Sequence, residues 1–218
     1  VDSIPKIIFV GWFEEFKGVF ELLEACNNLH LDGIKFHLTF VGGGNAEKSA
    51  KEFALKHALN EHISFFGWAN TLDLNKHLEE NDIFVLPSWY EGLPNAMIEA
   101  MASGLAVLTS SVGVIPDYIK HEKHALLVPP KSGELLEESL KRLITDANLR
   151  SRIAMEGHNL AANLFSVESN TEILGNILED LLKKEKSLFI LAPNIKHGGG
   201  MLLLKQIIKS SIKTKINL

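Results

Sequence analysis

The sequence has one cysteine and no long apolar run, and each shortage excludes a class of protein. Cys26 is the only cysteine among 218 residues, so neither an intrachain disulfide nor a cysteine-rich metal cluster can form. No run of 18 apolar residues occurs, which excludes a membrane-spanning helix. The chain starts Val1-Asp2-Ser3, without the basic segment and apolar stretch of a signal peptide. We therefore expect a cytoplasmic protein, and a chain that begins inside a longer one.

The composition is that of a folded globular protein. Hydrophobic residues make up 46% and charged residues 22% of the sequence. These fractions exclude an intrinsically disordered chain and a collagen-like repeat. A length of 218 residues allows one large domain or two small ones, with enough apolar material for a packed core.

Charge is distributed unevenly along the chain. Residues 183–218 contain eight lysines and one acid, Glu185, which gives a net charge of +7. The whole chain carries −5, so residues 1–182 carry −12. This step predicts a boundary between an acidic domain, 1–182, and a basic tail, 183–218. An acidic domain also predicts that nucleic acid is not a partner, because phosphate contacts need a positive surface.

Short apolar runs alternate with longer amphipathic stretches. This alternation predicts an α/β fold, a Rossmann-like, doubly wound parallel sheet covered on both faces. The stretch from Ser132 to about Leu182 is helical in pattern almost throughout, with N-caps expected at Ser132 and Ser166. The predicted strands are Lys6–Val10, Phe36–Val41, Ile63–Phe66, Asp82–Leu86, Leu105–Thr109 and Ala125–Val128.

The basic tail has a pattern of its own. Ser187–Ala192 is typical of a strand, residues 193–200 of a loop that ends in three glycines, and Met201–Ile212 of a basic amphipathic helix. We interpret this as the opening βα unit of a further domain. Alternatively, the helix could dock on an anionic membrane surface.

The strongest local motif runs from Trp89 to Gly104. It follows a predicted strand, contains a Gly-Leu-Pro turn and opens a helix, for which we expect Asn95 to be the N-cap. The free N–H groups of that helix N-terminus could bind an anion. Glu91 lies in the loop and Glu99 about one turn into the helix, where two carboxylates could accept hydrogen bonds from sugar hydroxyls. The alternative from spacing alone is that both are solvated surface residues.

This motif resembles the donor-binding signature of the retaining glycosyltransferases of the group 1 family, which have the two-domain GT-B fold. The E-x₇-E pattern of that family matches at Glu91 and Glu99. Other segments of residues 6–182 match in the same order. They are Phe9–Gly11, Lys17-Gly18, Val41–Gly44, Ile63–Gly67, Leu105–Thr109 and Asp117–Pro129.

The resemblance implies a role for each matching residue. Glu99 would bind the ribose hydroxyls of the nucleotide, and Glu91 would lie against the donor sugar. Lys17 would neutralise the diphosphate, so Lys17 and Glu91 are the expected catalytic residues. The remaining expected donor-binding residues are Gly11, Trp12, Gly67, Gly92, Leu93, Pro94 and Asn95.

The sequence departs from the family at Trp12. The family commonly has an arginine there, which shares the diphosphate with the lysine, whereas tryptophan contributes no charge. Trp12 could instead stack on a ligand ring or pack in the fold. No two aspartates are two positions apart, so the metal-binding Asp-x-Asp of the other main glycosyltransferase fold is absent. We therefore expect neither a metal nor a cofactor.

The resemblance implies transfer of a sugar from a nucleotide sugar to a glycan or lipid-linked acceptor with retention of configuration. The matching residues represent only the C-terminal, donor-binding domain of a GT-B enzyme. Two alternatives stay open: a nucleotide-sugar-binding module without turnover, and a GT-B sugar-nucleotide epimerase, which the Glu91–Asn95 segment disfavours. The tail resembles the start of a GT-B N-terminal domain, so a second glycosyltransferase could begin near residue 187. Peripheral contact with the inner face of the membrane is a further expectation.

Overall fold

A computed structural model describes residues 4–183, and a parallel six-stranded sheet forms the centre of residues 4–161. Its strands lie in the order β3-β2-β1-β4-β5-β6, and every neighbouring pair is parallel. Parallel neighbours need crossover connections, which the intervening helices supply. The strands are β1 (Lys6–Val10), β2 (His37–Val41), β3 (Ile63–Gly67), β4 (Ile83–Leu86), β5 (Ala106–Ser110) and β6 (Leu126–Val128).

Residues 4–183 contain eight α-helices. Helix α1 packs against α6, and α7 packs against α4 and β5. A 3₁₀ turn, Glu15–Lys17, precedes α1, and a π-helical segment, Ala161–Phe165, follows α7. The helices are α1 (Val19–Leu31), α2 (Glu47–Lys56), α3 (Thr71–Glu79), α4 (Asn95–Ala102), α5 (Ile115–Tyr118), α6 (Gly133–Thr145), α7 (Ala147–Leu160) and α8 (Val167–Lys183).

The core is centred on the middle strands. Every residue of β4 and β5 is buried, as expected for central parallel strands that are covered on both faces. An aromatic cluster adds to this core beside β1, where the Phe40 ring lies 5.2 Å from that of Phe9 and 5.4 Å from that of Phe13. Burial of each such side chain stabilises the fold by about 1.5–3 kcal/mol.

The predicted fold class is confirmed. All six predicted strands are present, each within one residue of its predicted ends. Their apolar runs are short and bounded by glycine or proline, which makes this kind of strand easy to recognise in a sequence.

The region after Ser132 contains a break that the sequence analysis missed. Asp146 separates α6 from α7, and its side chain accepts a hydrogen bond from the Leu149 N–H at 2.9 Å. Ser132 is at the N-cap position of α6, as predicted, but its side chain makes no capping hydrogen bond. The cap predicted at Ser166 is confirmed, because its hydroxyl accepts a hydrogen bond from the Ser169 N–H.

The chain divides into two compact units between Ala161 and Ala162. The predicted tail elements, a strand over 187–192 and a helix over 201–212, lie outside the described residues. The predicted domain boundary at 182/183 therefore stays a prediction. Within residues 4–183, no helix combines the length and the apolar character needed to cross a bilayer.

Candidate functional site

Three loops meet at the carboxyl edge of the sheet, where the strand order reverses. From β1, the strands β2 and β3 extend the sheet to one side and β4, β5 and β6 extend it to the other. Ligands of open parallel sheets bind at such a point. The loop after β1 carries residues 11–18, the loop after β4 carries residues 87–94, and the loop after β5 carries residues 111–114.

An ion pair joins the first two loops. The Lys17 ammonium lies 2.5 Å from Glu91 Oε1, and the two side chains are only 17% and 12% exposed. The Ser88 hydroxyl donates a second hydrogen bond to the same carboxylate oxygen, at 2.9 Å. Ser88 is itself completely buried. The two predicted catalytic residues are thus brought together and fixed by a third residue that the sequence analysis missed.

Gly18 allows the Lys17 loop to approach β4 closely. Its φ of +72° is left-handed, and a Cβ added there would lie 2.2 Å from the carbonyl oxygen of Pro87. The Trp89 N–H then donates a hydrogen bond to the Phe16 carbonyl at 2.7 Å. Packing therefore explains the glycine of the Lys17-Gly18 segment. Any larger residue at position 18 would push the loop that carries Lys17 away from the loop that carries Glu91.

The loop after β5 supports the glutamate loop from another side. Gly113 has a φ of +58°, and a Cβ added there would lie 2.0 Å from the Glu91 carbonyl oxygen. The sequence analysis did not identify this glycine. Its signal is only the position shortly after a buried strand, which many loop glycines share.

The helix that carries the second glutamate begins one residue earlier than predicted. Asn95 is the first helical residue of α4, and Pro94 is the N-cap, so the prediction of Asn95 as the N-cap is wrong. Pro94 has an extended backbone, and its carbonyl oxygen accepts hydrogen bonds from the N–H groups of Met97 and Ile98. The exposed Asn95 therefore contributes its backbone N–H at the helix N-terminus, the kind of group that binds anions.

The two predicted glutamates have different environments. Glu91 is held by Lys17 and Ser88, whereas Glu99 is exposed on α4, about one turn from the helix N-terminus. Gly92 is exposed and Leu93 is half-buried in the loop between them. The loop thus carries a carboxylate that is held by hydrogen bonds, Glu91, and the helix that follows carries one that is exposed to solvent, Glu99.

Gly11, Trp12 and Gly67 lie at the carboxyl ends of β1 and β3. The Gly11 N–H donates to the Val41 carbonyl, and the Gly67 carbonyl accepts from the Gly42 N–H. Trp12 is 58% exposed, and its ring meets that of Trp68, which is 62% exposed, edge to face at 4.8 Å. Trp12 therefore stands at the surface with a second aromatic ring as its neighbour, and the sequence analysis did not single out Trp68.

Clusters of metal-binding side chains are lacking in the described part of the chain. Among residues 4–183, no three His, Cys, Asp or Glu side chains are grouped so that they could hold a metal ion. The expectation of a reaction without metal or cofactor stays a prediction.

Comparison with known families gives one match that spans most of the chain. The family described as "Glycosyl transferases group 1" matches residues 2–160. Its span includes all three loops of the candidate site.

Individual relatives agree with this match. The amylovoran biosynthesis glycosyltransferase AmsK of Erwinia amylovora is 33% identical over 144 residues, which cover 63% of this chain and 35% of that protein. The crystal structure of the C-terminal domain of a group 1 family glycosyltransferase, LpcC of Francisella tularensis, is 27% identical. It has a TM-score of 0.69 and covers 74% of this chain and 86% of that domain.

A third comparison shows likeness of fold alone. Anabaena HepE, crystallised with UDP-glucose, is 18% identical with a TM-score of 0.71, over 81% of this chain and 49% of that one. The chain spans between 35% and 48% of the length of the curated relatives it matches.

Proposed function

The chain belongs to the group 1 glycosyltransferases, and on that premise we propose that it is the donor-binding part of a retaining enzyme. This enzyme transfers a sugar from a nucleoside-diphosphate sugar to a glycan or lipid-linked acceptor. One observation carries the proposal: the Lys17–Glu91 ion pair lies in the loops that flank the N-terminus of α4.

The transfer creates negative charge on the leaving group. The bond between the anomeric carbon and the diphosphate oxygen breaks, and its electron pair stays on that oxygen. The acceptor oxygen forms the new bond on the same face of the sugar, and its proton passes to the departing diphosphate oxygen. A fixed cation beside the leaving oxygen stabilises the transition state more than the ground state.

Lys17 is suited to that task. Its ammonium has three N–H donors, and in this structure Glu91 accepts from one of them. The remaining donors can reach a diphosphate, while the hydrogen bond to Glu91 holds the lysine in position. The α4 N-terminus contributes about 0.3–1 kcal/mol in the same direction. Trp12 supplies no charge, so this proposal assigns the attraction for the diphosphate to Lys17 and the N-terminus of α4.

In this proposal the two glutamates bind different hydroxyl groups of the donor. The exposed Glu99 binds the ribose hydroxyls, and Glu91 accepts hydrogen bonds from the donor sugar through the carboxylate oxygen that Lys17 does not engage. This division is consistent with the open environment of Glu99 and the fixed position of Glu91. The reaction needs neither a metal nor a cofactor under this proposal.

Acceptor and location are proposed on other grounds. The Erwinia amylovora relative is named for amylovoran biosynthesis, which supports a glycan or its lipid-linked precursor as acceptor. We propose a cytoplasmic enzyme in peripheral contact with the inner face of the membrane, since residues 183–218 carry a net charge of +7 from eight lysines and one acid. A second glycosyltransferase that begins near residue 187 is the accompanying proposal for the tail.

A donor-binding module without turnover is the second candidate. The chain spans less than half of its curated relatives, and it covers 86% of an isolated C-terminal domain. An acceptor site contributed by a separate domain would be absent from such a module. Detection of a glycosylated product from the purified chain would exclude this candidate, whereas donor binding without product would favour it.

Calorimetric titration of the purified chain tests the donor site. The ligands are uridine, guanosine and adenosine diphosphates and their hexose conjugates. We expect one nucleotide class to bind, and Glu99→Ala to weaken that binding at least about tenfold, because a lost hydrogen bond to a charged group costs about 1.5–3 kcal/mol.

Glu52→Ala is the matched control, since Glu52 is an exposed helical glutamate on α2, outside the three loops. It should leave the dissociation constant unchanged. Failure of every nucleotide to bind, or equal weakening in both variants, would contradict the proposed donor site.

A further inference from the structure

An exposed tyrosine directly precedes the glutamate of the candidate ion pair in the chain. Tyr90 is 60% exposed, yet its ring is stacked almost parallel on that of Phe16, with 4.6 Å between centroids and 14° between planes. One face of the tyrosine ring is therefore supported by protein. A large aromatic surface in contact with water forfeits the stabilisation that its burial would provide.

The chain around Tyr90 is fixed on several sides. The preceding residue, Trp89, donates its backbone N–H to the Phe16 carbonyl at 2.7 Å and its indole N–H to Glu21 at 2.5 Å. The Lys131 ammonium lies 3.8 Å from the centroid of the Trp89 ring, within the range of a cation–π interaction. The tyrosine ring is thus presented to solvent in a prearranged position, which lowers the entropic cost of binding a ligand.

The stacked pair adjoins the reacting groups. Phe16 directly precedes Lys17 and Tyr90 directly precedes Glu91, so each ring is the chain neighbour of one partner of the ion pair. The Lys17 ammonium lies 5.5 Å from the centroid of the Phe16 ring. Phe16 thus lies near both the Lys17 ammonium and the Tyr90 ring, which connects the exposed ring to the ion pair.

The chemistry of the ring selects one class of ligand. A pyranose has one face of axial C–H groups, which packs on an aromatic ring, while its equatorial hydroxyls stay in water. We propose that Tyr90, supported by Phe16, is a stacking subsite for a pyranose ring of the acceptor. This inference rests on the proposed function. The donor sugar binds to the half-buried Glu91 carboxylate, whereas the exposed Tyr90 ring contacts the pyranose ring of the acceptor.

The tyrosine content of the chain permits a direct test. The sequence has two tyrosines, Tyr90 and Tyr118, and Tyr118 is 45% exposed at the end of α5. The chain labelled with 3-fluorotyrosine gives one fluorine resonance for each, and Tyr90→Phe assigns them. The probes are methyl glucopyranoside, galactopyranoside and mannopyranoside, added with and without uridine diphosphate. We expect at least one glycoside to shift the Tyr90 resonance in a saturable way and to leave that of Tyr118 unchanged.

Variants separate stacking from folding. Tyr90→Ala should weaken glycoside binding, measured by saturation-transfer NMR, about 2- to 12-fold, the factor that corresponds to typical aromatic stacking. Tyr90→Phe keeps the ring and should bind as the parent does. Phe66→Ala, which removes another exposed ring on β3, is the matched control. An unchanged thermal midpoint in Tyr90→Ala shows that the loss is local.

Two results would overturn the inference: no glycoside shifts the Tyr90 resonance, or Tyr90→Ala binds the glycosides as tightly as the parent chain. The nucleotide titration distinguishes this failure from failure of the proposed function. If a nucleotide binds and no glycoside contacts Tyr90, only the acceptor subsite is wrong. If no nucleotide binds, the donor site itself is wrong.

Discussion

Ser88 is buried just after the end of β4 and donates a hydrogen bond to Glu91 of the candidate ion pair. We therefore expect nucleotide-sugar binding to depend on its hydroxyl. Ser88→Ala removes the 2.9 Å hydrogen bond to Glu91 while it keeps the fold-forming contacts of β4. We expect the dissociation constant for the bound nucleotide sugar to rise about 2- to 12-fold, which corresponds to a net hydrogen-bond contribution of about 0.5–1.5 kcal/mol. Calorimetry measures this change. Ser49→Ala, at an exposed serine of α2, is the control, and an equal affinity of Ser88→Ala and parent would show that the hydroxyl has no part in positioning Glu91.

His124 predicts how stability depends on pH. Burial lowers the pKa of its ring below the ordinary value of 6.5, and the charge of Lys123 acts in the same direction, against the opposing charge of Glu156. The unfolded chain therefore binds more protons at this residue than the folded chain does. Its contribution to the free energy of unfolding is present above about pH 6.5 and is lost as the pH falls.

The measurement is urea unfolding between pH 7.5 and 5.5. His124→Asn, whose side-chain oxygen can replace the ring nitrogen that accepts from the Lys120 N–H, should lose less stability on acidification than the parent. If His124→Asn and the parent lose the same stability, burial of the ring does not contribute to the pH dependence.

At the scale of residues, the sequence predicts the site residues that belong to a family motif. It does not predict residues whose role depends on a contact in the folded structure. Lys17, Glu91 and Glu99 were found because they occupy fixed positions in a family pattern. Ser88 carries no such signal, and its role depends on a hydroxyl that is buried against a carboxylate three positions away. Gly113 depends on the approach of a loop 22 positions from Glu91 along the chain, which only the folded sheet brings about.

At the scale of elements, the cap of α7 gives a clear prediction. Asp146→Ala removes the side-chain acceptor of the Leu149 N–H and should lower the free energy of unfolding by about 0.5–2 kcal/mol. Ser132→Ala at the start of α6 is the matched control, because the Ser132 side chain makes no capping hydrogen bond and its loss should cost less. Urea unfolding of both variants measures the difference. A larger loss in Ser132→Ala than in Asp146→Ala would contradict the observed caps.

Element types were predictable, and element boundaries were less so. The strands are short apolar runs closed by glycine or proline, for which composition decides the structure. The break at Asp146 and the start of α4 at Asn95 depend on which of several neighbouring residues takes the N-cap position. Asn95 has good cap chemistry, but Pro94 already has the extended backbone of an N-cap, so the asparagine enters the first turn.

At the scale of the whole molecule, the sequence predicts a parallel sheet but not the order of its strands. The order places β1 beside β4 and thereby brings Lys17 to Glu91 across 74 positions of the chain. That neighbourhood results from how crossover connections fold over the sheet, which no local pattern encodes. The predicted elements of the basic tail lie outside the described residues, and their assignment to a second glycosyltransferase stays a proposal.

The most direct test of the donor site compares a nucleoside with its diphosphate in Lys17→Ala. Loss of the cation should weaken calorimetric binding of the preferred nucleoside diphosphate about 10- to 150-fold, the factor for a charge-assisted contact, and leave binding of the nucleoside nearly unchanged. Lys48→Ala, at a lysine that is 88% exposed on α2, should bind both ligands as the parent does. If Lys17→Ala binds the diphosphate as tightly as the parent chain, Lys17 does not neutralise the leaving group and the proposed site is wrong.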